Sequence, residues 1–405
     1  MTTGMVQGAS TELLRFLSRL GHTLLATGDA VVVIEDTLRR IAHAHGARNV
    51  NVVALPTVLL VKIDEGATFI DFTSERGLAL RFDQIEAAFE LAQDAERMAV
   101  KPGEALVRLN SILVRPPRFG AAWNIFGLML VTTGIALMLQ PTVGVIRWAA
   151  LLGLIVGVLK VFARSRGMLN TLLPTIAAFV VSLIAVEAAR RGILAGPLRV
   201  VIAAVATFIP GGVLAVATMD LAYGDMVSGS SRFLTGLVQL MFLVLGMMVA
   251  VSLIGLPPAL SAEGAEEFGA WAPWLGVLLF GVGQAFHNSA RLKTLPWMLL
   301  VLFVAAAGQF LGNAVFGGYM SAFIAATMIT PMAYLVQYRF GGPPAMVTFQ
   351  PALWMLVPGA IGLIGLAELV GDNRLASITD FVTALFTIVA IAIGCLIGSW
   401  IYGVL

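Results

Sequence analysis

The chain has 405 residues, 59% hydrophobic and 12% charged, with a formal net charge of +2 and a mean hydropathy of +0.93. Soluble domains carry about 25% charged residues, so the composition excludes an ordinary soluble protein, and the small net charge argues against a nucleic-acid partner. One cysteine, Cys395, gives no disulfide frame, and four histidines in no ligand spacing give no metal site; no metal and no cofactor are expected.

The opening MTTGMVQGASTELLRFL lacks a charged start followed by an apolar core, so no signal peptide is expected. STELLRFLSRLGHTLLATG and DAVVVIEDTLRRIAHAHG read as amphipathic helices that stop at glycine. NVNVVALPTVLLVKI and ATFIDF then read as strands, with Asp64-Glu65-Gly66 as a hairpin turn. RFDQIEAAFELAQDAERMAV and GEALVRLNSILVR return to helix, and Pro116-Pro117 end the segment. Residues 1–118 are therefore expected to form a small soluble α+β domain. Its tempting polar residues are His22, Asp36, His43 and His45. His43 and His45 are two apart and do not share a helix face. GxSxG, P-loop and CxxC patterns are absent from the chain. These histidines read as surface or packing residues, and the chain reads as no enzyme.

From Ala121 onward, apolar runs of bilayer-spanning length recur ten times: 121–140, 143–163, 170–189, 198–220, 232–256, 271–289, 294–312, 313–336, 347–369 and 376–404. Only Gly312-Asn313 separates the seventh from the eighth. The fold class expected is a multi-pass α-helical membrane protein of about ten transmembrane helices, preceded by the α+β domain. Arginine and lysine at Arg115, Arg118, Lys160, Arg164, Arg166, Arg232, Arg291, Lys293 and Arg339 outnumber those on the opposite flanks, which places the N-terminal domain in the cytoplasm. Lys160 opens the run KVFARSR and reads as part of a cytoplasmic anchor.

The fourth run is interrupted by Pro210-Gly211-Gly212, and the ninth by Pro358-Gly359. Each break is followed by an acidic residue, Asp220 or Glu368, and then by Gly-Asp, at 224–225 or 371–372. The motif occupies the fourth of five runs in each half, so residues 119–256 and 257–405 read as two five-helix repeats. An odd number of spans per half inverts the second against the first, a plan that places substrate where broken helices meet near the midplane. A broken helix presents N–H groups to an anion and C=O groups to a cation. The substrate-binding candidates are Pro210, Gly211, Gly212, Gln350, Pro358 and Gly359. Intramembrane ionisable groups mark pathways or proton sites. Asp220, Asp225, Ser228, Glu368 and His287 are the candidates for proton coupling or entry.

The sequence resembles the threonine/serine exporter family over nearly its whole length. The resemblance rests on LLATGDAVVVIEDTLRRIAHAHG, with Gly28, Glu35 and Gly46, and on GEALVRLNSILVRPPRFG, FIPGGVLAVATMDLAYGDMVSGSSRF and FQPALWMLVPGAIGL. It implies a soluble N-terminal domain, ten spans in two related halves, and proton-driven export of L-threonine and L-serine across the cell membrane. The partners implied are the amino acid, protons and the lipid bilayer; a homo-oligomer is compatible with the sequence. A small zwitterion suits a broken helix, and Ser228, Thr207 or Gln350 can meet its hydroxyl. The alternatives are an exporter of dicarboxylates or other small metabolites, or a gated channel.

Overall fold

The structure is a computed structural model describing residues 2–55, 58–63, 69–72, 80–139, 142–164, 166–255, 268–316, 318–356 and 374–403. It divides into two compact units, residues 1–117 with 216–233, and residues 118–215 with 234–405.

The first unit begins with α1 (Thr2–Leu25) and α2 (Val31–Ala44). Phe16, Leu17, Leu20 and Leu24 of α1 and Ile34, Leu38 and Ile41 of α2 are fully buried, the three-and-four spacing of a core-facing stripe. Gly28 and Gly46 follow these helices with φ of 83° and 88°, a left-handed turn that costs glycine no strain. Strands β1 (Val50–Leu55), β2 (Val58–Ile63) and β3 (Phe69–Phe72) form an antiparallel meander with β2 in the centre. The expected turn at Asp64-Glu65-Gly66 lies outside the described residues. Helices α3 (Phe82–Glu96) and α4 (Pro102–Leu113) complete the layer. The Gln84 amide donates to the Ile112 and Leu113 carbonyls at 3.2 and 2.9 Å, closing the end of α4. Residues 216–233, expected in or beside the fourth and fifth spans, pack with this unit.

The second unit holds α5 (Ala121–Leu139), α6 (Val143–Ala163), α7 (Gly167–Arg190), α8 (Pro197–Val205), the start of α9 (Gly211–Tyr223) and most of α10 (Met226–Ile254). It continues with α11 (Ala272–His287), α12 (Leu295–Val315), α13 (Gly318–Tyr334), α14 (Ala345–Leu356) and α15 (Arg374–Tyr402). Among the described residues seven helices are long and apolar enough to cross a membrane, and eight if the bent pair α8–α9 counts as one span. The protein is thus a multi-pass membrane protein. This is fewer than the ten runs expected. Helix α11 has 16 residues, about 24 Å, short of a hydrocarbon core of about 30 Å. The ninth run is described only through Leu356, so Pro358, Gly359 and Glu368 lie outside the described residues. The seventh and eighth runs are separate: Gly308 faces Ala325 and Gly312 faces Ser321, the register of an antiparallel hairpin.

Missing side chains let these helices touch. A Cβ added at Gly134 would meet the Gly276 carbonyl oxygen at 2.5 Å, and one at Gly276 would meet that of Gly134 at 2.6 Å. Gly127 and Gly283 face each other in the same way at 2.7 and 2.6 Å. The contact is reciprocal and its register runs backwards, so α5 and α11 are antiparallel and meet at backbone distance, as small residues allow in lipid. A second pattern occurs twice. Gly246 of α10 packs on Thr175, Ala178 and Phe179 of α7, while Gly394 of α15 packs on Phe323, Ala326 and Thr327 of α13. Each residue of the second set stands 148 positions after its counterpart. Replacing Gly276 by Val is expected to destabilise the chain by about 1–3 kcal/mol or more through overpacking. Gly144→Ala, where a Cβ meets nothing within 4 Å, is expected to stay within about 0.5 kcal/mol; thermal unfolding of the purified proteins compares them.

Candidate functional site

The interruption of the fourth run is local and has a sequence cause. Pro210 lacks an N–H and forces the residue before it into an extended conformation; Ile209 has φ −70° and ψ 123°. Helix α8 tightens into a 3₁₀ turn at Ala206–Phe208, the chain extends through Ile209, and α9 restarts at Gly211 with a bend of 57°. The Phe208 carbonyl accepts from Gln239 Nε2 at 2.9 Å and that of Pro210 from Leu214 N–H at 3.0 Å. Pro210, Gly211 and Gly212 are buried. A Cβ at Gly212 would meet the Trp354 indole nitrogen at 3.0 Å, which brings α14 of the second half against the first break.

The half-buried side of the break carries a polar cluster. Lys160 Nζ donates to Thr207 Oγ1 at 2.6 Å and lies 3.2 Å from His287 Nε2 and 4.9 Å from the Phe208 ring centroid. His287 Nδ1 lies 3.3 Å from the Asn124 carbonyl oxygen, and Asn124 Nδ2 donates to the His287 carbonyl at 2.6 Å. Lys160 stands in the last turn of α6 and His287 is the last residue of α11. Thr207 is therefore level with one end of its neighbours, where the sequence suggested mid-depth. A membrane helix can be cut there because a glutamine amide satisfies the Phe208 carbonyl that the cut exposes.

The far end of α9 belongs to the first unit and is organised around a buried ion pair. Arg232 Nη1 bonds Asp220 Oδ2 at 2.8 Å, with Asp220 fully buried, and also donates to the Asp29 carbonyl at 3.0 Å. Val31, the first residue of α2, donates its N–H to Asp220 Oδ1 at 3.1 Å. Asp220 thus supplies the helix cap that Ala30 cannot. Ser228 Oγ reaches the Ala54 carbonyl at 3.4 Å, and Ala54 N–H donates to Glu35 at 2.9 Å. Gly224, with φ 92°, ends α9 as its N–H bonds Leu221 O and the Asp225 N–H bonds Asp220 O, a Schellman stop. Asp225 Oδ2 is buried without a hydrogen-bond partner. Beside this pair sits Asp29, which the sequence placed at the head of the second helix without singling it out; α2 begins at Val31. Burial chiefly pushes its carboxyl from 3.8 up to about 6, opposed by the Ala30 N–H and Arg232 and aided by the Asp220 charge.

The family model described as "Putative threonine/serine exporter" matches residues 15–254. The chain belongs to the threonine/serine exporter family. It is also 21% identical over 402 residues to the threonine/serine exporter of Corynebacterium glutamicum, covering 96% of this chain and 82% of that protein. No solved structure matches. As a member of a transporter family the chain is a membrane transport protein.

The exporter-family match contains Asp29, Lys160, Thr207, Asp220, Asp225, Ser228 and Arg232. Of the expected site residues, the fold places Asp220 and the Gly224 stop together at the end of α9, bonds Ser228 to the Ala54 carbonyl, and sets Gly212 against Trp354. His287 joins Lys160 and Thr207. Gln350 is half-buried in α14, one residue before Pro351. Lys160 is the side chain in this cluster that was not among the expected site residues. The signal was available, since it is the one lysine within an apolar run, but its basic neighbours made it read as an anchor.

Two outcomes follow for the ion pair. Arg232→Gln leaves Asp220 buried without its cation and is expected to cost about 3–5 kcal/mol. Adding Asp220→Asn is expected to recover part of that loss, which a double-mutant cycle on thermal unfolding of the full chain measures. Asp29 has a folded-state pKa above its unfolded value, so its ionised form opposes folding. That cost is fully present above about pH 6 and vanishes toward pH 4. Asp29→Asn is therefore expected to raise the melting temperature markedly at pH 7.5 and by clearly less at pH 4.5. Equal shifts at both pH values would contradict this.

Proposed function

We propose that the protein exports small hydroxy amino acids, L-threonine and L-serine, across the plasma membrane in exchange for protons, with its N-terminal domain in the cytoplasm. Ten spans form two inverted five-helix repeats, and access alternates around the broken fourth and ninth spans. Residues 1–118, 119–256 and 257–405 are the functional divisions.

The observation that carries this reading is the repeated spacing of 148 residues. It relates the glycine contacts of α7 and α10 to those of α13 and α15. It also relates Pro210-Gly211 to Pro358-Gly359. The antiparallel contact of α5 with α11, the first helix of each half, agrees with inversion. A small zwitterion fits a break that presents N–H groups at the start of α9 and a lysine beside it. For protons, Asp29 titrates near physiological pH next to the Asp220–Arg232 pair. Asp225, Ser228, Glu368 and His287 are the further candidates along the route. The family membership and the exporter of Corynebacterium glutamicum support the substrate class.

The test is efflux of labelled threonine from proteoliposomes under an imposed pH gradient. Accumulation against the threonine gradient, abolished by a proton ionophore, is expected. Strictly downhill flux that ignores the ionophore would point to a channel and end the exporter reading. Preference for succinate over threonine would move the substrate to dicarboxylates.

A further inference from the structure

We infer that Lys160 is the receptor for the substrate's carboxylate group. This assignment rests on the transport reading and names the chemistry of its site. Three of the ammonium's surroundings are known and all are neutral: the Thr207 hydroxyl, the His287 ring and the face of Phe208. Among the described residues no acidic side chain pairs with it. Lys160 stands in the last turn of an apolar span, and an ammonium there with no acidic partner among the described residues suits a charge that comes and goes.

The proton positions follow from the geometry. The ammonium donates to His287 Nε2, so the imidazole carries its own proton on Nδ1, which faces the Asn124 carbonyl at 3.3 Å. Thr207 Oγ1 accepts from Lys160, and its hydroxyl hydrogen is left to donate. Lys160 and Thr207 together therefore offer one positive charge and two donors on the half-buried side of the break. That set matches one carboxylate, whose two oxygens accept only. A single lysine balances the one carboxylate of an amino acid and leaves the second of a dicarboxylate unbalanced. Asn124 and the reciprocal Gly127–Gly283 contact hold His287 in place, and His287 positions the amine.

The experiment uses the full-length protein in proteoliposomes and compares L-threonine with threonine amide, which keeps the ammonium and hydroxyl but has no carboxylate. In the unsubstituted protein, L-threonine should compete with labelled threonine at about a tenfold lower concentration than the amide. Lys160→Gln should raise the KM for threonine by about tenfold or more and remove the preference for acid over amide, while Lys160→Arg should retain it. Thr207→Val should weaken the preference without removing it, and it serves if Lys160→Gln does not fold. An unchanged preference in Lys160→Gln, or in Thr207→Val where that variant alone folds, would overturn the assignment. If the unsubstituted protein moves no threonine, the transport reading fails instead. Thermal stabilisation of purified protein by threonine over its amide, lost in Lys160→Gln or Thr207→Val, then still decides whether Lys160 receives a carboxylate.

Discussion

Lipid offers no hydrogen bonds, so every backbone group freed inside an apolar span must find a protein partner or a polar ligand. The interruption at Ala206–Pro210 meets that constraint in a specific way. Pro210 removes one backbone donor and disfavours helix at Ile209, where the chain is cut, whereas Pro174, Pro331 and Pro351 stay inside helices. Gln239 takes the Phe208 carbonyl, and Lys160 settles on Thr207. On its buried side, Gly212 packs against the side chains of Trp354 and Leu353. What remains half-buried is the Thr207 side. The break therefore has a packed face and a polar face.

Helix α9 carries the consequences of the break away from it. Its 13 residues extend about 20 Å. They begin beside Thr207 and end at the Asp220–Arg232 pair, where the carboxylate also caps α2. Removing one member of such a pair is far more damaging than exchanging both, so the pair fixes where α9 ends. Gly224 then turns the chain into α10, and Gly229 lets α10 lie against Ala217 and Leu221 of α9. The motif that opens with Pro-Gly thus closes at Gly224-Asp225 as a helix stop beside the Asp220–Arg232 pair.

Much of this was legible in the sequence, and the exceptions have physical reasons. The stripes of α1 and α2, the alternation in β1 and β2 and the proline break follow from local periodicity and local chemistry. The Gly224-Asp225 pair was visible as a motif, although its role as a helix stop emerges only with the backbone. Lys160 was visible as a lysine in an apolar run, but its partners lie 47 and 127 residues away, and no local pattern joins them. Asp29 read as the first residue of the second helix; its burial beside Asp220, which raises its pKa, depends on a residue 191 positions away and left no local signal. The sixth run also reached Asn288 and Ser289, beyond the 16 residues of α11, where Ser289, with φ 54°, turns the chain out of the helix. The expected Pro358-Gly359 break and Glu368 lie outside the described residues.

The central claim is that the break between α8 and α9 is where substrate binds. A structure of the full-length protein determined with L-threonine tests it most directly. The account predicts the threonine carboxylate within hydrogen-bonding distance of Lys160 Nζ and Thr207 Oγ1. Threonine bound elsewhere, with the contacts among Lys160, Thr207 and His287 unchanged, would contradict it.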